Sequence, residues 1–186
     1  MEVLKRPLAV LLCGALFVCA LARGAGAIES AAEYQVKAVF LFNFSHFVEW
    51  PPQAFATPTE PFVIGILGSD PFGTHMDEAV HGELIDQHPL VIRRFRTPAE
   101  IGNCQILYID RSESARVKPI LAALDHRNTL TVADSEGSAG HGVMIELSTE
   151  NNRIRLRINA DAAKAAGLTI SSKLLRPAEI VSAERD

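Results

Sequence analysis

Hydrophobic and polar positions along the chain keep one period at a time. From Glu33 to Trp50 the apolar residues recur at helical spacing. Stepped at ~100° per residue, Val36, Val39, Phe40, Phe44, Phe47 and Val48 fall on one stripe, with Asn43 inside it. Ser30 followed three residues on by Glu33 forms a capping box, and Pro51 stops the helix at or before Trp50. Leu41 and Phe42 lie off the stripe. The helix is therefore apolar on more than one face, which predicts deep burial or a second interface.

Beyond Pro61 the pattern becomes short continuous apolar runs. Phe62–Leu67, His88–Phe95, Ile106–Asp110 and Thr129–Ala133 read as strands. Helices are predicted up to Val80 and over Ser112–Asp125, the latter with Val117, Ile120, Leu121 and Leu124 on one face. Continuous apolar strands alternating with helices predict a parallel sheet covered on both faces. The period then drops to two. Val143–Ser148 and Arg153–Asn159, joined by Thr149-Glu150-Asn151-Asn152, predict a hairpin. Its second strand points Ile154, Leu156 and Ile158 one way and Arg153, Arg155 and Arg157 the other. A small-residue helix from Asn159 to Ala166, closed by Gly167, follows. The expected fold class is α/β, a mostly parallel central sheet covered by helices with a C-terminal β-hairpin.

The first 27 residues follow neither period. Lys5 and Arg6 precede the apolar run Leu8–Ala22, and Ala25-Gly26-Ala27 has the A-x-A form of a cleavage site. This reads as an export signal, with one domain expected over residues 28–186. After Ala27 the net charge is −6, with no basic patch, which argues against nucleic-acid binding. Cys104 is the only cysteine beyond the leader. It cannot form an internal disulfide, and its place beside an apolar strand predicts a buried thiol.

Candidate chemistry is sparse. Gly65-x-x-Gly68 between a strand and a helix could cradle a phosphate, but it lacks the P-loop lysine and also fits a tight turn. Gly137-Ser138-Ala139-Gly140-His141-Gly142 reads as a flexible loop, either a connection or a lid. Asp70, Asp110 and Asp134 all follow strands, where an open α/β sheet binds ligands. A ligand site is expected around Gly68, Asp70 and His141. None of the six histidines forms a zinc spacing, and no nucleophile elbow is present. No cofactor and no catalytic residue is expected. Lys37, Asn43, Cys104 and Asn159 are read as structural, although Lys37 and Asn43 could instead join Trp50 in a recognition site. Trp50, Arg153, Arg155 and Arg157 are the partner-binding candidates, from side-chain type and expected exposure.

The stretch Glu33–Pro52 resembles the N-terminal signature of the YfiR/HmsC-like periplasmic family. Phe62–Phe72, Cys104–Ile109, Leu130–Asp134, Gly142–Ile145, Arg155–Asn159 and Gly167–Leu175 resemble its later segments in order. The resemblance implies a non-enzymatic periplasmic α/β domain that often dimerises. It implies restraint of an inner-membrane diguanylate cyclase through the cyclase's periplasmic part, lowering cyclic di-GMP and biofilm formation. An OmpA-like outer-membrane lipoprotein would sequester the restraining protein. Characterised members use disulfides, whereas Cys104 has no second cysteine to pair with. A periplasmic small-molecule binder is the alternative reading.

Overall fold

The computed structural model describes residues 31–124, 128–151 and 153–182. Ser30, the predicted leader and Asn152 lie outside them. Helix α1 covers residues 31–47 and runs into a two-residue strand, β1 (Val48–Glu49). Then come β2 (Phe62–Leu67), α2 (Thr74–Val80), β3 (Leu84–Ile85), β4 (His88–Phe95) and β5 (Ile106–Ile109). The second half holds α3 (Val117–Ala123), β6 (Leu130–Ala133), β7 (Ile145–Glu150), β8 (Arg153–Ile158), α4 (Ala160–Ala165), β9 (Thr169–Ile170), α5 (Ser172–Leu175) and β10 (Glu179–Ile180).

Eight strands form one sheet in the order β10-β8-β7-β6-β5-β2-β4-β3. The pairs are parallel except β3–β4 and β7–β8. This is the α/β class expected, and the hairpin closes on fewer loop residues than its polarity suggests, because β7 runs on to Glu150. The chain starts centrally at β2, passes through α2 to β4, then recrosses to β5 on the other side. Strands β2, β5 and β6 are buried along their whole length, which is why they read as unbroken apolar runs. Gly65 in β2 is required by packing, since a Cβ there would lie 2.8 Å from Phe95 Cε2 and 3.1 Å from Leu107 Cδ1.

One sheet face carries the larger core, joining residues of α1, α2, α4 and α5 to Ile64, Ile106, Val132 and Leu147. The other face packs Leu107, Ile109 and Ala133 against Val117 and Ile120 of α3. The predicted helix from Ser112 is divided. Arg111–Arg116 forms a 3₁₀ segment capped by Asp110, whose carboxylate accepts from the Ser112 amide, and α3 begins at Val117. Pro119 explains the break: without an N–H it cannot bond back to the carbonyl four residues earlier.

The buried arc of α1 is not the predicted stripe. Val36 and Val39 are 48% and 53% exposed. Leu41, placed off the stripe, is fully buried, as are Phe44 and Lys37. Tyr34, Ala38, Ser45 and Val48 complete the inward face. The arc is rotated toward a lysine, and the reason lies in what Lys37 meets.

Candidate functional site: the two faces of helix α1

Asp134 stands at the C-terminal end of β6 with no exposed side-chain surface. Its Oδ2 accepts from the Tyr34 hydroxyl at 2.8 Å, from Lys37 Nζ at 3.3 Å, and from Arg111 Nη2 at 3.0 Å and Nε at 3.3 Å. Glu33 flanks the cluster. It pairs with Lys37 one turn on, lies 3.8 Å from Arg111, and accepts from Thr149 Oγ1 at 2.8 Å. Burial pushes the Asp134 carboxyl up, but Lys37, the Tyr34 hydroxyl and Arg111 outweigh it and hold the group below the ordinary carboxylate range. Burial and the neighbouring carboxylate raise the Tyr34 hydroxyl, which stays a neutral donor. The Tyr34 ring meets Phe72 edge-on at 5.7 Å, and Phe72 meets Tyr108 at 4.7 Å. Apolar packing and ion pairing thus hold the N-terminal half of α1 against the sheet.

The opposite face of α1 is left open. Val36 and Val39 are exposed, and Phe40, Asn43 and Phe47 on the same side are half-buried. Spaced at i, i+3, i+4, i+7 and i+11, these residues make an outward stripe with Asn43 as its only amide. Asn43, read as a core anchor, therefore sits at the rim of the core.

At its C-terminal foot α1 is fastened again. β1 pairs antiparallel with β9, and the Ser171 amide donates to the Phe47 carbonyl. Trp50 is half-buried. Its Nε1–H donates to the Gln105 carbonyl at 3.1 Å and its ring meets Phe62 at 4.9 Å. Gln105 is buried and ties three segments together, accepting from the Val63 amide and donating to the Ala54 carbonyl.

The remaining sequence candidates are dispersed. Gly68, at φ +95°, closes a tight turn, and a Cβ there would lie 2.8 Å from Ser112 Oγ. Asp70 Oδ1 accepts from the Phe72 and Gly73 amides, while Oδ2 takes Arg94 Nε at 2.6 Å. His141 is exposed in the loop after β6, with β5 between it and the Gly68–Asp70 turn. That loop, expected to be flexible, is anchored. Ser138 and Ala139 are buried, the Ala139 amide donates to Glu146 Oε2 at 3.0 Å, and Asn159 Nδ2 donates to the Ala139 carbonyl. Asn159 Oδ1 also caps α4 at Ala162 N. Cys104 is buried.

The arginine row is present but not uniformly available. Arg153 and Arg155 are exposed, with Arg155 Nε 3.6 Å from Glu150. Arg157 is engaged by Glu146, Glu150 and Glu179, each at 3.1 Å. The row projects from the sheet face opposite α1, because Ile154, Leu156 and Ile158 belong to the core beneath α1. Sequence reading missed Tyr34, Arg111, Gln105 and Glu146. The one available signal was a lysine in the middle of an apolar helix.

Among the described residues, no group of three or more His, Cys, Asp or Glu side chains is placed to hold a metal ion. No described helix is long and apolar enough to cross a membrane. The described residues form a mostly parallel α/β domain whose buried charges hold one helix in place. The chain belongs to the YfiR/HmsC-like family, whose model matches residues 34–179. That membership suggests a periplasmic, regulatory and non-catalytic domain connected with diguanylate cyclase control. No curated protein matches the chain. Among solved structures it is similar to an ABC domain from Streptococcus pneumonia in complex with L-Trp, at 11% identity and a TM-score of 0.49, over 64% of this chain and 55% of that one. It is also similar to a conserved domain protein from Vibrio cholerae, at 13% identity and a TM-score of 0.47, over 63% and 54%. The chain thus spans about half the length of each.

Proposed function

We propose that this chain is an exported regulator that binds the periplasmic sensory part of an inner-membrane diguanylate cyclase and restrains it, lowering cyclic di-GMP and biofilm formation. On this reading residues 1–27 are a leader removed after Ala27, and residues 28–186 act as one domain. The observation that carries the proposal is the outward face of α1. Two valines stand about half exposed beside half-buried Phe40 and Phe47 on a helix whose other side is pinned to the sheet. An exposed apolar patch on a rigid element suits a protein partner. A homodimer, and sequestration by an OmpA-like outer-membrane lipoprotein, are extensions of the same proposal, as competing occupants of the regulator's surface.

The test is affinity capture from solubilised envelope with the wild-type chain and a Val36→Asp/Val39→Asp variant. Recovery of a GGDEF-containing membrane protein by the first and not the second is the expected result. Equal recovery would move the surface elsewhere. Recovery of no cyclase by either would overturn the proposal.

A further inference from the structure

Below the foot of α1 lies a groove of ≈ 650 Å³ that the regulator reading does not use. This is the size range of small-molecule sites, about 300–1,000 Å³. Trp50, Phe55, Phe62 and Leu84 form its apolar wall. The rings are packed on one another before anything binds. Trp50 meets Phe62 edge-on at 4.9 Å, Phe55 meets Phe62 at 6.2 Å, and His88 stacks on Phe55 at 3.9 Å and 13°. The Trp50 Nε1–H bond to Gln105 fixes the indole. Leu84 is 58% exposed although it sits in a hairpin against the sheet. That hairpin turns at Asp86 and Gln87, both at positive φ, which holds the Asp86 backbone at the rim in one conformation.

The charge of the groove is one-sided. Among the described residues, Glu49 and Asp86 line it, and no lysine or arginine does. Neither carboxylate has an ion-pair partner among the described residues. Of the lining imidazoles, His46 is exposed beside Phe42, and His88 donates from Nδ1 to the Glu60 carbonyl at 2.6 Å. Aromatic faces carry negative potential and attract cations, most strongly tryptophan. Two carboxylates beside an aromatic wall select the same sign of charge.

We infer that this groove binds a small organic ammonium ion, a primary amine on an aromatic or branched apolar body, with the body against Trp50 and Phe55 and the ammonium toward Glu49 and Asp86. The inference goes beyond the regulator reading and stands whether or not a cyclase is the partner. It also differs from the ligand site expected at Gly68, Asp70 and His141.

Trp50 is the chain's only tryptophan, so its emission reports the groove directly. The full exported chain would be titrated with phenethylamine and, in parallel, with 3-phenylpropionate, which has the same body and the opposite charge. A saturable change in emission and a raised Tm with the amine alone are expected. The Glu49→Gln/Asp86→Asn variant, at exposed positions, should melt like wild type and bind the amine at least about tenfold more weakly, a loss of about 1.4 kcal/mol. No saturable response to the amine, equal binding of the carboxylate, or unchanged binding by the variant would each overturn the inference. So would a response to a lysine-rich peptide without one to phenethylamine.

Discussion

Lys37 and Asp134, 97 residues apart, meet at 3.3 Å with no exposed side-chain surface on either. The pair is unequal in its support. Asp134 also holds Tyr34 and Arg111, whereas Lys37 has Glu33 besides and lies 4.9 Å from the centroid of the Tyr34 ring. Removing one partner of a buried pair typically costs about 3–5 kcal/mol, because the other charge stays buried alone. Asp134→Asn should therefore cost about that much in urea unfolding. Lys37→Met should cost less than half as much, since Asp134 keeps two donors and the thioether fills the lysine's space. Equal losses would show that the Arg111 charge and the Tyr34 hydroxyl contribute little.

The same cluster sets an acid limit. Asp134 and Glu33 are both held below their ordinary values, so between the native and unfolded pKa values the unfolded chain binds more protons. Their contribution is complete above the unfolded range, about pH 3.9–4.3, and is lost as pH falls through the native values. Stability measured by denaturant from about pH 5 downward should fall steeply in wild type and less steeply in Lys37→Met. An unchanged slope in the variant would assign the acid sensitivity to other carboxylates.

How much of this was legible depended on whether a residue's partner was near in sequence. The sheet was readable because Phe62–Leu67, Ile106–Ile109 and Leu130–Ala133 are buried on both faces, so each run carries its own signal. The alternation of β8 was readable for the same local reason. The orientation of α1 was not. A hydropathy pattern turns a lysine outward, and the anion that turns Lys37 inward lies 97 positions on. The arginine row was visible, but Glu146, Glu150 and Glu179, which engage Arg157, come from β7 and β10 and become neighbours only through strand order.

Glu146 is a second buried carboxylate with a local task. It receives the Ala139 amide, the Ser138 hydroxyl at 3.4 Å and Arg157. Glu146→Ala leaves a buried amide unmet, which costs about 1–3 kcal/mol. It should also speed hydrogen exchange at the 137–142 loop before that of β5 and β6. Exchange that rises uniformly across the sheet would show that the loop has no separate attachment.

Cys104 gives a simpler expectation. It is buried, and a hydroxyl placed there costs about 1–3 kcal/mol where it finds no partner. Cys104→Ser should fold with a loss no larger than that and run as wild type on non-reducing gels. A covalent dimer present in wild type and missing in the variant would mean that the thiol is reached by a second molecule.

The last expectation separates two surfaces that sequence alone could not rank. Val36 and Val39 face outward from α1, while Arg155 projects from the opposite face of the sheet, so substitutions can test the two surfaces separately. Trp50 sits at the helix foot, turned into its groove by Gln105. Exposed substitutions usually change stability by no more than about 0.5 kcal/mol, and the Arg155–Glu150 pair at 3.6 Å is a surface one worth about 0–1 kcal/mol. Val36→Asp/Val39→Asp and Arg155→Glu should both accumulate normally in the periplasm. If the α1 face is the contact, the valine variant raises cyclic di-GMP and Arg155→Glu does not, because burying an aspartate at an apolar interface costs far more than altering a solvated rim charge. Trp50→Ala should act mainly through the groove, removing the response to amines while leaving repression close to normal. Derepression by Arg155→Glu alone would place the cyclase on the opposite face and leave α1 as an element of the fold only.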